Sequence, residues 1–298
     1  VGGAWQVGAL VAIRDAVGWE PHTADAIIGT SSGAHLAAML GSGVTVDELL
    51  AAQRGDSTAH PAVRHFFTEP PAASPTLPLG GPSLRLARRG LADRNRLTML
   101  SGLLPRGRSN PDFLVALVEG VVGDREWFPH PATWLVGVDV ATGERVAFGA
   151  PGAPQVSARD ALLASWSVPG WYPPVRIGER TYVDGGVSST ASADLLAPLD
   201  LDEVIIVAPM ASAGMERVPG VLGRVEHFMR TSMSRSVERD VDTLTGAGIR
   251  VVRVHPGDAE LAQMGFNFMD PRHRLDALNA ALEHVPARLA RSLAEVRG

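Results

Sequence analysis

Cysteine and lysine are both missing from this 298-residue chain. Without cysteine there is no disulfide framework, no thiolate zinc site and no cysteine nucleophile. Without lysine there is neither Schiff-base nor Ser-Lys chemistry. All 27 basic residues are arginine, a bias that accompanies abundant Ala, Gly and Pro and that we ascribe to codon composition. No run approaches the roughly 18 apolar residues that span a bilayer, and no leader pattern precedes the first helix-like segment. Net charge is −5, so the chain as a whole is no nucleic-acid binder. The histidines lack metal-ligand spacing. No metal or cofactor is expected, and a cytoplasmic location is.

What is present suits one large α/β domain or two small ones: hydrophobic residues make up 45% of the chain. Trp5 to Val17 has helical spacing and stops at Gly18. A strand is expected over Ala24 to Thr30 and a short helix over Val46 to Arg54. Residues 55 to 82 are rich in Pro, Ala, Ser and Thr and are expected to form a loop or lid. Residues 84 to 108 carry seven arginines against the single acid Asp93, interleaved with leucines. They suit either a solvated helical hairpin over the core or a basic amphipathic surface that meets anionic lipid or acidic substrate, a peripheral membrane contact. Further on come a helix from Pro111 to Val122 capped by Asn110, a hairpin from Thr133 to Phe148, and a helix capped by Ser157. Strand-like stretches follow at 175 to 183, 203 to 208 and 249 to 254, with helices over 221 to 244 and 271 to 296, the last broken at Pro286. Strands alternate with helices, which predicts an α/β fold with a largely parallel sheet and helices on both faces.

One stretch carries chemistry. The apolar run Ala26-Ile27-Ile28 stops at Gly29, Ser31 and Gly33 follow at two-residue steps, and Ala34 to Leu40 is rich in helix formers. Strand, sharp turn with a serine at its apex, then helix is the context of a nucleophile elbow. Side chains at Gly29 or Gly33 are expected to collide with the neighbouring strand and helix. The Ser32 amide falls at the positive end of the new helix, where it can donate to an oxyanion.

A serine needs a base, and two residues qualify. Asp184 ends a strand and precedes two glycines, so its loop can pass close to another backbone. His255 follows the strand Val251 to Val254. Ser31, Asp184 and His255 stand in the chain order of an α/β-hydrolase triad.

The sequence resembles the patatin-like phospholipase family. The elbow Gly29-Thr30-Ser31-Ser32-Gly33-Ala34, the segment Ala164-Ser165 through Pro169 to Pro173-Pro174, the motif Asp184-Gly185-Gly186 and the helix start Ala4 to Leu10 carry the likeness, together with Asn267 to Arg272. The resemblance implies a single domain over residues 1–298 with a lid or insert at about 55 to 110, folded as a three-layer sandwich. It also implies a Ser31-Asp184 dyad without histidine or metal, acting on lipid or other carboxylic esters through an acyl-enzyme. Gly2 and Gly3 match the end of the family's oxyanion loop, joining Ser32, and Trp166, Trp171 and Tyr172 are expected to wall an acyl pocket. The strand and the positive residue of that loop have no counterpart here, so the sequence is expected to begin inside a longer one. Two alternatives stand beside the dyad: a triad hydrolase using His255, and a catalytically silent patatin-like module that binds a membrane or partner.

Overall fold

A computed structural model describes residues 1–69, 81–93, 95–211, 221–264 and 271–297. The Asn267 to Asp270 part of the terminal likeness lies outside them.

The larger sheet is built around β2 (Thr133–Asp139), buried along its whole length. Along one edge it pairs with β3 (Arg145–Phe148) in an antiparallel hairpin. Its other edge is shared by two strands placed end to end. β1 (Ile27–Gly29) runs parallel to it and ends with Gly29 opposite Leu135. β5 (Arg180–Asp184) runs antiparallel and ends with Asp184 opposite Gly137. The two C-terminal ends therefore face each other across two residues of β2, about 7 Å of strand. β4 (Val175–Ile177) completes the sheet as the hairpin partner of β5. A second, parallel pair is formed by β6 (Glu203–Val207) and β7 (Arg250–Val254).

Three of these five pairings are antiparallel, so the sheet is mixed where a largely parallel one was expected. Two of the three have a local cause: the turns at Ala141 to Gly143 and at Gly178 fold β3 back on β2 and β5 back on β4. The three-layer α/β arrangement holds. Ile27 and Leu135 face a core shared with α1 (Gly2–Val17), α2 (Ser32–Gly41), α7 (Asp112–Val122), α8 (Ala158–Ser165) and α11 (Arg274–Arg297). Their chain neighbours Ile28 and Trp134 face the opposite core, with Val204, Ile206 and the Val237 and Leu244 side chains of α9 (Val221–Gly246). This two-residue alternation places helices on both faces.

Local signals account for most element ends. Gly18 closes α1 in the left-handed conformation. Thr45 and Glu48 form a reciprocal capping box at the start of α3 (Val46–Arg54). Asn110 accepts from the Asp112 amide at 3.1 Å, ahead of α7. Two expectations fail. The expected loop at 55 to 82 contains α4 (Pro61–Thr68), because Pro61 suits a first helical turn and Val63 and Phe67, four apart, are both buried. Pro286 does not break α11. The buried stripe Leu278, Ala281, Val285 and Leu289 belongs to the same core as α1, and this packing offsets a proline cost of about 3 kcal/mol. No helix among the described residues is long and apolar enough to cross a membrane. α10 (Asp258–Met264) packs against α11.

Candidate active site

Ser31 lies between β1 and α2 with φ 56° and ψ −119°, a backbone conformation that non-glycine residues rarely adopt. Gly29 makes the turn possible. A Cβ there would stand 2.3 Å from the Gly33 carbonyl oxygen and 2.7 Å from the Ala37 Cβ. Gly33 plays no such part, since a Cβ at that position meets nothing nearer than Gln6 Nε2 at 3.9 Å. Only the first glycine of the frame is sterically obligatory. Accordingly, Gly29→Ala should lower stability by about 3 kcal/mol, whereas Gly33→Ala, inside a helix, should stay within about 1 kcal/mol of the parent. Urea midpoints of the two variants check this.

Asp184 is 3% exposed. Its Oδ1 accepts from the Gly186 amide at 2.7 Å, and its Oδ2 is buried without a hydrogen-bond partner. Burial pushes its pKa up to about 7, against a smaller lowering by the Ser31 hydroxyl and the Gly186 amide. The hydroxyl thus stands near enough to act on the carboxylate without closing a well-formed hydrogen bond, as is common before substrate arrives. The glycine after Asp184 permits this approach: a Cβ on Gly185 would lie 2.6 Å from the Val136 carbonyl oxygen.

One short stretch holds both groups. The Ser31 amide donates to Ser165 Oγ at 3.2 Å, and the Asp184 amide donates to the Ser167 carbonyl at 3.1 Å. Ser165 ends α8 and is fully buried.

The starts of α1 and α2 also converge here. Ser32 Oγ donates to Gln6 Oε1 at 3.1 Å, and a Cβ on Gly2 would be 3.9 Å from Ser32 Oγ. The Gly33 and Ala34 amides donate back to Thr30 and Ser31, while the amides of Ser32, Gly2 and Gly3 belong to first helical turns and have no helical acceptor.

Of the expected pocket aromatics, Trp166 and Tyr172 come together, with ring centroids 6.1 Å apart. Trp171 makes no ring contact with them among the described residues; instead its carbonyl accepts from the Ser109 amide at 2.9 Å. Four other rings complete the cluster: His35, 5.6 Å from Trp166, with Phe66, Phe67 and Phe113. His35 is buried with both ring nitrogens unpartnered, and burial drives its pKa down to about 3. Its position four residues after Ser31, on the same helix face, is the one sequence signal that places it here. Phe66, Phe67 and Phe113 gave none.

His255 is elsewhere. Its Nδ1 lies 3.2 Å from the Pro256 carbonyl, and its charged neighbours are Arg288, Arg253 and Glu260. Among the described residues no contact joins it to Ser31 or Asp184, and the triad is not assembled.

A strained serine between strand and helix, set against a buried carboxylate in a three-layer α/β fold, defines the class: an α/β protein with a strand–serine–helix elbow. The chain belongs to the patatin-like phospholipase family, whose model matches residues 1–197 and so takes in the elbow and the Asp184 loop. No curated protein matches the sequence.

Proposed function

We propose that this chain is a serine lipid acyl hydrolase that cleaves carboxylic esters through an acyl-enzyme, with Ser31 as nucleophile and Asp184 as base. The observation that carries the reading is the unpartnered Oδ2 of a buried Asp184 set against the Ser31 hydroxyl.

In the first half-reaction Ser31 Oγ attacks the ester carbonyl carbon and its proton passes to Asp184 Oδ2. The carbonyl oxygen becomes an oxyanion facing the Ser32 amide and the Gly2–Gly3 end of α1. When the intermediate collapses the carbon–oxygen bond to the alcohol breaks, and the alcohol leaves with the proton held by Asp184. In the second half-reaction Asp184 takes a proton from water, the hydroxide attacks the acyl carbon, and the carboxylic acid is released as Ser31 regains its proton. A placed base contributes about 10²–10⁴-fold and an oxyanion donor roughly 3–4 kcal/mol. Trp166 and Tyr172, with Phe66 and Phe113, offer apolar surface to an acyl chain. His35, held neutral by burial, adds no charge beside it.

A fluorophosphonate probe tests the reading directly. Stoichiometric phosphonylation that maps by peptide mass to Ser31 is expected, and a protein left unlabelled at Ser31 while folded would remove the proposal.

A further inference from the structure

The described residues expose seven large apolar side chains, and five of them lie in one short region: Leu84, Leu91, Leu100, Leu103 and Leu104. The region is a helical hairpin, α5 (Leu84–Ala92) and α6 (Arg96–Leu103), followed by Leu104. Leu84 and Leu91 are seven residues apart and share a face of α5. Leu100, Leu103 and Leu104 follow three- and four-residue spacing along α6 and its end. The inward faces are accounted for separately: Leu86, Ala87 and Gly90 are buried on α5, and Leu97 and Thr98 on α6. The leucines turned outward are therefore not a core in another guise. Leu91 is 68% exposed.

The hairpin is built tightly and fixed to the sheet. A Cβ on Gly90 would lie 2.1 Å from the Met99 backbone nitrogen, and one on Gly102 would lie 2.3 Å from the Ala87 backbone nitrogen, so the helices cross at two reciprocal glycines. Thr98 Oγ1 donates to the Val187 carbonyl at 2.8 Å and Asn95 Nδ2 to the Ser188 carbonyl at 3.2 Å. These carbonyls lie three and four residues after Asp184. A groove lined by Leu86, Leu104, Arg106, Tyr172 and Val183 runs between the hairpin and the sheet.

Charge selects the partner. Residues 84 to 108 carry seven arginines and one acid in a chain of net charge −5. Arg85, Arg88, Arg106 and Arg108 are exposed and, among the described residues, hold no ion pair. Arg89 is engaged, donating to the Thr142 carbonyl. Arg88 stands between Leu84 and Leu91 on their face of α5. An anionic surface would attract this face and repel the rest of the molecule, which fixes orientation as well as contact. A protein partner with a dry apolar socket has no need of that many unpaired guanidinium groups.

We propose that the α5–α6 hairpin docks the protein on bilayers containing anionic phospholipid, its leucines entering the acyl boundary and its arginines lying at the headgroups. The proposal goes beyond the hydrolase reading, because docking requires nothing of Ser31 or Asp184.

The test is sedimentation with sucrose-loaded vesicles, using the Ser31→Ala protein so that no lipid is consumed and loss of catalysis cannot masquerade as loss of binding. Binding to phosphatidylglycerol–phosphatidylcholine vesicles is expected, with at least tenfold weaker binding to phosphatidylcholine alone. Adding Arg85→Gln and Arg88→Gln should weaken binding to the anionic vesicles by about 30-fold. Adding instead Leu91→Asn and Leu103→Asn should weaken it at least tenfold with an unchanged melting temperature, since both positions are exposed. Equal binding to both vesicle types, or undiminished binding by either double variant, would overturn the proposal. So would a parent protein that sediments as a dimer and becomes monomeric in the leucine variant, because a second copy would then be what covers this face.

Discussion

Ser31→Ala should lower kcat/KM on a p-nitrophenyl ester by about 10⁴-fold or more, since removing an attacking atom leaves only binding and oxyanion contacts. The melting temperature should not change. Alanine meets the same strained backbone as serine, and the amide bond to Ser165 is untouched. Ser31→Gly separates the two properties further. Glycine adopts φ 56° and ψ −119° without strain, so this variant should be equally inactive yet more stable by about 1–3 kcal/mol. Turnover retained by folded Ser31→Ala would end the nucleophile assignment, and the stability difference between the two variants measures what the elbow costs the fold.

Asp184→Asn should reduce kcat/KM by about 10²–10⁴-fold. In the parent, activity should climb as pH rises through about 7, because only the ionised carboxylate can take the proton from Ser31. Stability should move the opposite way. In the unfolded chain Asp184 titrates near 3.8 and in the folded protein near 7. Between these values the folded state holds a proton that the unfolded state has released, so unfolding free energy falls as pH rises from about 4 to about 7 and then levels. The full loss is on the order of 4 kcal/mol. Asparagine keeps an acceptor for the Gly186 amide and never ionises. The variant should therefore gain stability relative to the parent between pH 5 and pH 8, read from paired urea titrations whose difference cancels every other titrating group. A constant difference across that range would mean that Asp184 is not ionising under burial.

The local geometry of the elbow was legible in the sequence, because a strand, a glycine and a helix signal lie within a dozen residues. The legibility had a limit even there: both glycines of the frame looked equally necessary, and only Gly29 is crowded. The family likeness supplied Asp184, but nothing local says that β5 ends against β1 along one edge of β2. That meeting depends on register between strands more than 150 residues apart. The aromatic cluster shows the same boundary. Trp166 and Tyr172 were drawn from one motif, whereas Phe66 and Phe113 come from separate helices and join only through tertiary packing. Trp171 sat in the same motif, yet among the described residues its ring touches neither of them. α4 escaped notice because a Pro- and Ala-rich neighbourhood hid one buried pair, and Pro286 misled because a helix covered by a long partner tolerates what an isolated one does not.

Ser165 to Ser167 give hydroxyl and carboxylate a common mount. A shift of the last turn of α8 therefore reaches the backbones of Ser31 and Asp184 at once. A change on β1 or β5 reaches one of them first, so under the proposed mechanism distant changes that alter the rate without harming the fold should gather at the last turn of this one short helix.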